Sequence, residues 1–323
     1  MNIAVLTSGR QDWGIVRSTC IALRAHGSLR LSLWSGGMHE HEAFGMTVRD
    51  IEAEGIAVDE HLRWLDGAAT PATTQAAKAL EAVGGALVRR RPDALLLVGD
   101  RLETGAAALA ATLTATPIIH LHGGEETEGA FDNALRHAVT KQSHLHLVSH
   151  ETHAARVRAM GEDPAAIHVV GAPGLDNLHR TDLPSKEELV RSLGLALDGP
   201  VVIVTLHPAT LGADPATEAQ AVADAMDAVP ASYVITLPNS DPGAERTRDV
   251  LLAAAKRPRR VAVEALGERR YWGLMRVADA MLGNSSSALV EAPAMYLPAV
   301  NVGDRQRGRE RGANVLDAKS EPG

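Results

Sequence analysis

The chain has 323 residues, too many for one ordinary hydrophobic core, so two domains are expected. Apolar residues make up 45% and aromatics only 3%, so aliphatic side chains and alanine must build the interior. The formal charge of -8 argues against a nucleic-acid partner, because counterion release needs clustered Lys and Arg, and no apolar run is long enough to span a bilayer.

Met1-Asn2-Ile3-Ala4-Val5-Leu6 has neither a basic start nor a long apolar region. It reads as a buried strand, Ile3–Leu6, rather than a signal peptide. Ser8-Gly9-Arg10-Gln11-Asp12 follows. The glycine permits a sharp turn, and Arg10 either grips a phosphate with paired bonds or lies on the surface beside a helix cap. A helix is expected over Trp13–Ala25. Cys20, the one cysteine, sits in its apolar pattern, has no internal disulfide partner and fits a reducing, cytoplasmic setting. Next come a strand at Leu29–Trp34 and a helix at Ala72–Arg89. The basic run Arg89-Arg90-Arg91 suits that helix's solvated C-terminus. Strand Ala94–Val98 leads into Gly99-Asp100-Arg101-Leu102-Glu103, where acid and base either pair with each other or serve chemistry (Asp100) and phosphate (Arg101).

Strand Ile118–Leu121 runs into His120-Leu121-His122-Gly123-Gly124-Glu125. Alternation places His120 and His122 on one strand face, and His144-Leu145-His146 repeats the pattern. Two such histidines suit zinc, but no carboxylate or cysteine arrangement completes a recognisable metal site, so no metal is assigned. The paired glycines before Glu125 better fit a loop that lets a substrate approach the backbone. A helix over Ala134–Lys141 is preceded by Asp132, which either caps it or forms an i,i+4 ion pair with Arg136. Strands Leu145–Val148 and Ile167–Val170 close the first half. The polar stretch Asp176–Lys186 breaks the strand–helix rhythm, which divides the chain into residues 1–175 and 176–323.

The second half repeats the rhythm with strands Val201–Leu206, Tyr233–Leu237, Val261–Val263, Ala280–Leu282 and Ala299–Val302 and a helix at Arg248–Lys256. Alternating strands and helices imply parallel sheets, whose ligands bind beyond the carboxyl ends of the strands. The polar groups obey that rule. His207 and Asn239 each follow a strand. Gly283-Asn284-Ser285-Ser286 joins a strand to a helix start, where free N–H groups and the dipole favour an anion. Ser285 and Ser286 add hydroxyl donors, or merely cap the helix. Glu291, about two turns into that helix, is placed to accept from a ribose diol. Arg305 follows the last strand.

As a set in chain order, Ser8-Gly9-Arg10 with Asp12, Gly37-Met38-His39, Gly99-Asp100-Arg101, His122-Gly123-Gly124-Glu125, Leu135-Arg136-His137 with Lys141, His207-Pro208, Asn239-Ser240-Asp241-Pro242-Gly243, Gly283-Asn284-Ser285-Ser286 and Gly303-Asp304-Arg305-Gln306 resemble the hydrolysing UDP-N-acetylglucosamine 2-epimerases of the sialic acid and legionaminic acid type. The Asn-x-Asp-x-Gly element favours the hydrolysing branch. The resemblance implies an α/β GT-B fold of two Rossmann-like domains facing a central cleft, with the nucleotide mainly on the second. It implies no cofactor, a UDP-sugar substrate and a homodimer. It further implies anti elimination of UDP as the C2 proton is removed, then hydration of the 2-acetamidoglucal to the free 2-epimer.

Residue by residue, the resemblance implies catalytic roles for Asp100 and Asp132, with Glu125, Arg136 and His207 beside them. It implies sugar-nucleotide contacts from Arg10, His39, Arg101, His207, Asn239, Ser285, Ser286, Glu291 and Arg305. Many members carry a catalytic glutamate at the position of His122, so His122 or Glu125 takes that role here. Members also usually run several dozen residues past the point matching Val315-Leu316-Asp317, with a helix returning to the first domain, so the second domain reads as shortened. Alternatives are the diacetamido-trideoxyhexose nucleotide as substrate, a non-hydrolysing epimerase, a GT-B glycosyltransferase, or a sugar-nucleotide-binding protein without catalysis.

Overall fold

Strands buried on both faces need near-continuous apolar runs, and the first unit is built from such strands. The computed structural model describes residues 1–67, 70–127, 132–208, 214–238 and 243–320. In the first unit, β1 (Asn2–Thr7), β2 (Arg30–Gly36), β3 (Glu60–Leu62), β4 (Ala94–Val98), β5 (Ile118–Leu121), β6 (Leu145–Val148) and β7 (Ile167–Val169) form one parallel sheet. Its strand order is β3-β2-β1-β4-β5-β6-β7. Helices α1 (Arg10–Ala25), α2 (Val48–Ala53), α3 (Ala72–Arg90), α4 (Leu102–Leu113), α5 (Asp132–Gln142) and α6 (Glu151–Ala159) connect the strands.

Residue alternation sends each strand's side chains to two cores. Ala4, Leu6, Leu95 and Leu97 pack with α3 and α4 on one face. Ile3, Val5, Leu33, Ala94, Leu96 and Val98 pack on the other with Trp13, Val16 and Cys20 of α1. Those three α1 residues fall at spacings of three and four, the apolar stripe of a helix lying on a sheet. Val5 aligns with Leu33 of β2 on one side and Leu96 of β4 on the other, so β1 is central.

The second unit runs from Leu178 onward. Here α7 (Lys186–Leu193) opens with a reciprocal capping box between Ser185 and Glu188. Strands β8 (Val201–Thr205), β9 (Ser232–Thr236), β10 (Arg260–Val263), β11 (Ala280–Gly283), β12 (Ala299–Val302) and β13 (Val315–Ala318) pair in the order β10-β9-β8-β11-β12-β13, again all parallel. Its helices are α8 (Pro215–Ala228), α9 (Ala244–Ala255), α10 (Gly267–Val277) and α11 (Ser287–Val290). One face packs Ile203, Val234, Met281 and Ala299 with α7 and α10; the other packs Val204, Ile235 and Val302 with α8 and α9.

Each sheet therefore starts at a central strand, runs outward to one side, then returns and runs to the other. That is the doubly wound Rossmann order, which leaves a switch point beside β1 and β4 and another beside β8 and β11. Two edge strands, β3 and β13, were not among the expected elements. Both are short and carry polar residues, Glu60-His61-Leu62 and Val315-Leu316-Asp317-Ala318, because only one of their backbone edges is paired. No helix among the described residues is long and apolar enough to cross a membrane.

Candidate active site

At the first switch point, β1 ends in Thr7 and the chain turns through Ser8 and Gly9 into α1, with Arg10 as its first residue. Asp12 secures this turn: the backbone N–H and the hydroxyl of Ser8 both donate to its Oδ2, at 2.9 and 2.6 Å. Burial pushes the Asp12 carboxyl up, while the Arg101 charge and the Ser8 bonds oppose that rise. A Cβ on Gly9 would lie 2.6 Å from Met38 Cε, so a side chain there would make the Met38 and Gln11 side chains shift. His39 lies just behind, 1% exposed, with Nε2 2.9 Å from Thr7 Oγ1 and Nδ1 2.7 Å from Thr47 Oγ1. Burial takes its pKa down to about 3, so the ring is neutral and bridges two threonines.

Beyond β4, Asp100 and Arg101 do not resolve into a pair of neighbours. Asp100 forms an ion pair with Arg136 of α5, whose side chain is 1% exposed. Arg101 donates to Glu103 Oε1 at 3.3 Å. Asp132 is the first residue of α5, one turn before Arg136. His120 on β5 is fully buried. Its Nε2 donates to the Gly99 carbonyl at 2.7 Å and its Nδ1 lies 3.2 Å from Thr140 Oγ1. Burial lowers its pKa to about 4. Thus His120 ties the turn carrying Asp100 to the helix carrying Arg136.

His122 does not share a strand face with His120. The strand stops at Leu121, and His122 takes φ +64, the left-handed region, which turns its side chain off the sheet pattern. Its Nδ1 lies 2.6 Å from Glu125 Oε1. Ser149, beyond β6, donates to the same oxygen at 3.1 Å. Gly124 must be glycine here: at φ +76 a Cβ would lie 2.5 Å from the His153 carbonyl oxygen. The histidines of the repeated pattern have separate partners, His144 accepting from Ile118 N–H and His146 pairing with Glu162. Among the described residues no cluster of three or more His, Cys, Asp or Glu is arranged to hold a metal.

At the second switch point, Asn284 clamps the ends of β8 and β11. The His207 N–H donates to Asn284 Oδ1 and Asn284 Nδ2 donates to the His207 carbonyl, both at 2.8 Å. Gly283, at φ +133, brings the two strands so close that a Cβ would lie 2.0 Å from Thr205 O. Ser285 Oγ accepts from Ser287 N–H and lies 3.0 Å from Ser287 Oγ, while Tyr271 OH bonds Ser287. Ser286 precedes the helix in helical conformation and forms no side-chain cap. Arg305 and Gln306 both donate to the Asn284 carbonyl, at 3.5 and 2.8 Å.

Glu291 also departs from its expected place. α11 covers only Ser287–Val290, so Glu291 stands at its C-terminal end, not two turns inside a helix. Pro293 in the following 3-10 turn, Ala292–Met295, offers no N–H to extend the α pattern. Asn239 lies outside the described residues. Sequence reasoning assigned nothing to His120, Thr140, Ser149 or Tyr271, and it quoted Asn284 without a role. Type and position did not disclose these roles, because the partners lie 16 to 77 residues away.

The profile of the family described as UDP-N-acetylglucosamine 2-epimerase matches residues 21–323. A UDP-N,N'-diacetylbacillosamine 2-epimerase (hydrolyzing) of Legionella pneumophila is 33% identical over 98% of this chain and 84% of its own length. A GDP/UDP-N,N'-diacetylbacillosamine 2-epimerase (hydrolyzing) of Campylobacter jejuni is 30% identical over 98% and 84%. In fold, the chain is similar to Methanocaldococcus jannaschii UDP-GlcNAc 2-epimerase in complex with UDP-GlcNAc and UDP, with TM-score 0.80 at 14% identity over 100% of this chain and 90% of that one. The two doubly wound units are those of a GT-B fold. With its profile match spanning nearly the whole length, the chain belongs to the UDP-N-acetylglucosamine 2-epimerase family.

Proposed function

We propose that the protein is a hydrolysing 2-epimerase, converting a UDP-2-acetamido sugar and water to UDP and the free 2-epimer. The observation that carries the reading is the Asp100–Arg136 ion pair at the end of β4, a charged pair held at a Rossmann switch point, where ligands of such sheets bind. The likeness to two hydrolysing relatives at 30 and 33% identity supports it.

The chemistry sets the demands. A sugar C2 hydrogen is barely acidic until C1 becomes cation-like, so the protein must take the departing pyrophosphate charge and hold a base against C2. In the second unit Arg305, Ser285 and Ser286 suit the pyrophosphate, and in the first unit Arg10 and Arg101 suit phosphate at the ends of β1 and β4. Asp100, Asp132 and the His122–Glu125 pair suit proton transfer at C2 and activation of water. Arg136 pairs with Asp100 and fixes its position. His207 and Asn239 take the nucleotide side, and Glu291 the ribose. His39 acts through the Thr7 turn rather than at the sugar, since threonines occupy both its nitrogens.

The relatives' names favour a 2,4-diacetamido-2,4,6-trideoxy sugar over N-acetylglucosamine itself. Both nucleotides are therefore offered to purified protein in deuterated water and followed by proton NMR. Release of UDP with a free 2-epimer deuterated at C2 is the expected outcome. Return of UDP-linked epimer without net UDP would replace the reading with a non-hydrolysing epimerase. No turnover of either nucleotide, with UDP still bound, would leave a binding protein.

A further inference from the structure

We propose that Gln11 is a specificity residue whose carboxamide reads an N-acyl group on the sugar of the nucleotide substrate. The assignment deepens the function proposed above and rests on it for the identity of the ligand.

Gln11 is the second residue of α1, directly past the turn that ends β1. Both polar atoms of its side chain, Nε2 and Oε1, are buried, and among the described residues neither has a hydrogen-bond partner. Exchanging the two atoms changes nothing, since both ends are unmet. Buried polar groups are paired in nearly all folded proteins, so an amide whose donor and acceptor are both idle calls for a reason.

The polar groups of the turn are committed elsewhere. Ser8 gives its N–H and its hydroxyl to Asp12. The Ser8 carbonyl accepts from Met38 N–H, and the Gly9 carbonyl accepts from Asp12 and Trp13 N–H. The amide lies instead across Gly9, where a Cβ would sit 2.7 Å from Nε2 and 2.8 Å from Oε1. Contact with a glycine Cα satisfies neither atom. Gln11 as a whole is only half-buried, so rotation about its own side-chain torsions takes the amide off Gly9 without moving the backbone. That movement breaks no internal hydrogen bond.

Position and chemistry name the ligand. β1 is a central strand, and its carboxyl end borders the switch point with β4, where ligands of doubly wound sheets bind. A primary carboxamide presents N–H and C=O side by side, and the group that meets both at once is another amide. A 2-acetamido sugar carries one such group, and a 2,4-diacetamido sugar carries two. A hydroxyl in the same place offers a single atom to both. A site that leaves its polar groups unpaired with the wrong ligand discriminates against that ligand.

The test is Q11M in the full chain, which keeps the length of the side chain and removes its donor and acceptor; Q11A serves in its place should Q11M not fold. Wild type and variant are compared on UDP, UDP-glucose, UDP-N-acetylglucosamine and the UDP-2,4-diacetamido-2,4,6-trideoxy sugar. The readout is kcat/KM for UDP release where a nucleotide is turned over, and Kd by calorimetry where it is not. Q11M is expected to weaken an acetamido nucleotide by about 10- to 100-fold while UDP and UDP-glucose are unchanged. A loss already present with UDP-N-acetylglucosamine puts the amide on the 2-acetamido group; a loss confined to the diacetamido nucleotide puts it on the 4-acetamido group. An equal loss for UDP or UDP-glucose, or no loss for either acetamido nucleotide, overturns the assignment. An amide without an internal bond costs the fold nothing to lose, so Q11M is expected to melt no lower than wild type. A lower melting temperature shows that the amide serves the fold and also overturns the assignment. Wild type that binds UDP but neither acetamido nucleotide sinks the function proposed above, and the reading of Gln11 goes with it; the melt still decides whether Gln11 serves the fold.

Discussion

Replacing Asn284 isolates a single contact that joins two strands of the second unit. Its amide satisfies both backbone groups of His207, which are buried with it. N284A removes both of these bonds. Losing each costs about 1–3 kcal/mol. Water entering the vacated space offsets part of the sum, so the expected loss is about 2–4 kcal/mol. N284D sharpens the reasoning. Its carboxylate still accepts from His207 N–H but sets an oxygen against the His207 carbonyl. Protonation restores the missing donor, so the introduced carboxyl has a folded pKa above its unfolded value near 4. The variant's deficit therefore shrinks as pH falls and is full once pH rises through the folded pKa. A chain of two units need not unfold in one two-state step. The measurement is hydrogen exchange in urea, read on peptides covering β8 and β11. A change under about 0.5 kcal/mol for N284A, or a pH-independent deficit in N284D, would show that the clamp is not what holds these strand ends.

G283A places a Cβ 2.0 Å from a backbone oxygen at a φ of +133; it is expected to fold poorly or not at all, read by circular dichroism against wild type. D100A removes the carboxylate paired with the buried Arg136 guanidinium and is expected to cost about 3–5 kcal/mol. R136M costs less, because Asp100 is 17% exposed and reaches water; thermal melts of both variants check the order. His39 titrates near 3 in the fold against about 6.5 unfolded, so the unfolded chain binds the extra proton. Its contribution is complete above pH 6.5 and lost as pH falls toward 3, and H39Q is expected to flatten that part of the stability curve. Burial pushes the Cys20 thiol up to about 12, so a thiol reagent is expected to label it only after unfolding.

Most of the architecture is legible in the chain itself. β1, β4, β5 and β8 read directly because strands buried on both faces must be apolar throughout and must stop at a polar or glycine turn. The same logic places Arg10, Asp100, His207 and Ser285 at strand ends, since side chains that cannot be buried collect where the sheet runs out. β3 and β13 escape this reading, because an edge strand of three or four residues needs no apolar run and is recognised only by the neighbour it pairs with. The short α11 escapes it too, since a serine-to-proline stretch looks helical until the proline's missing N–H is placed in three dimensions. Above all, local spacing offered Arg136 a partner at Asp132 and His122 a neighbour in His120. Tertiary structure adds Asp100 to the partners of Arg136 and turns His122 onto Glu125, because a helix beside β4 and a left-handed turn bring these groups together.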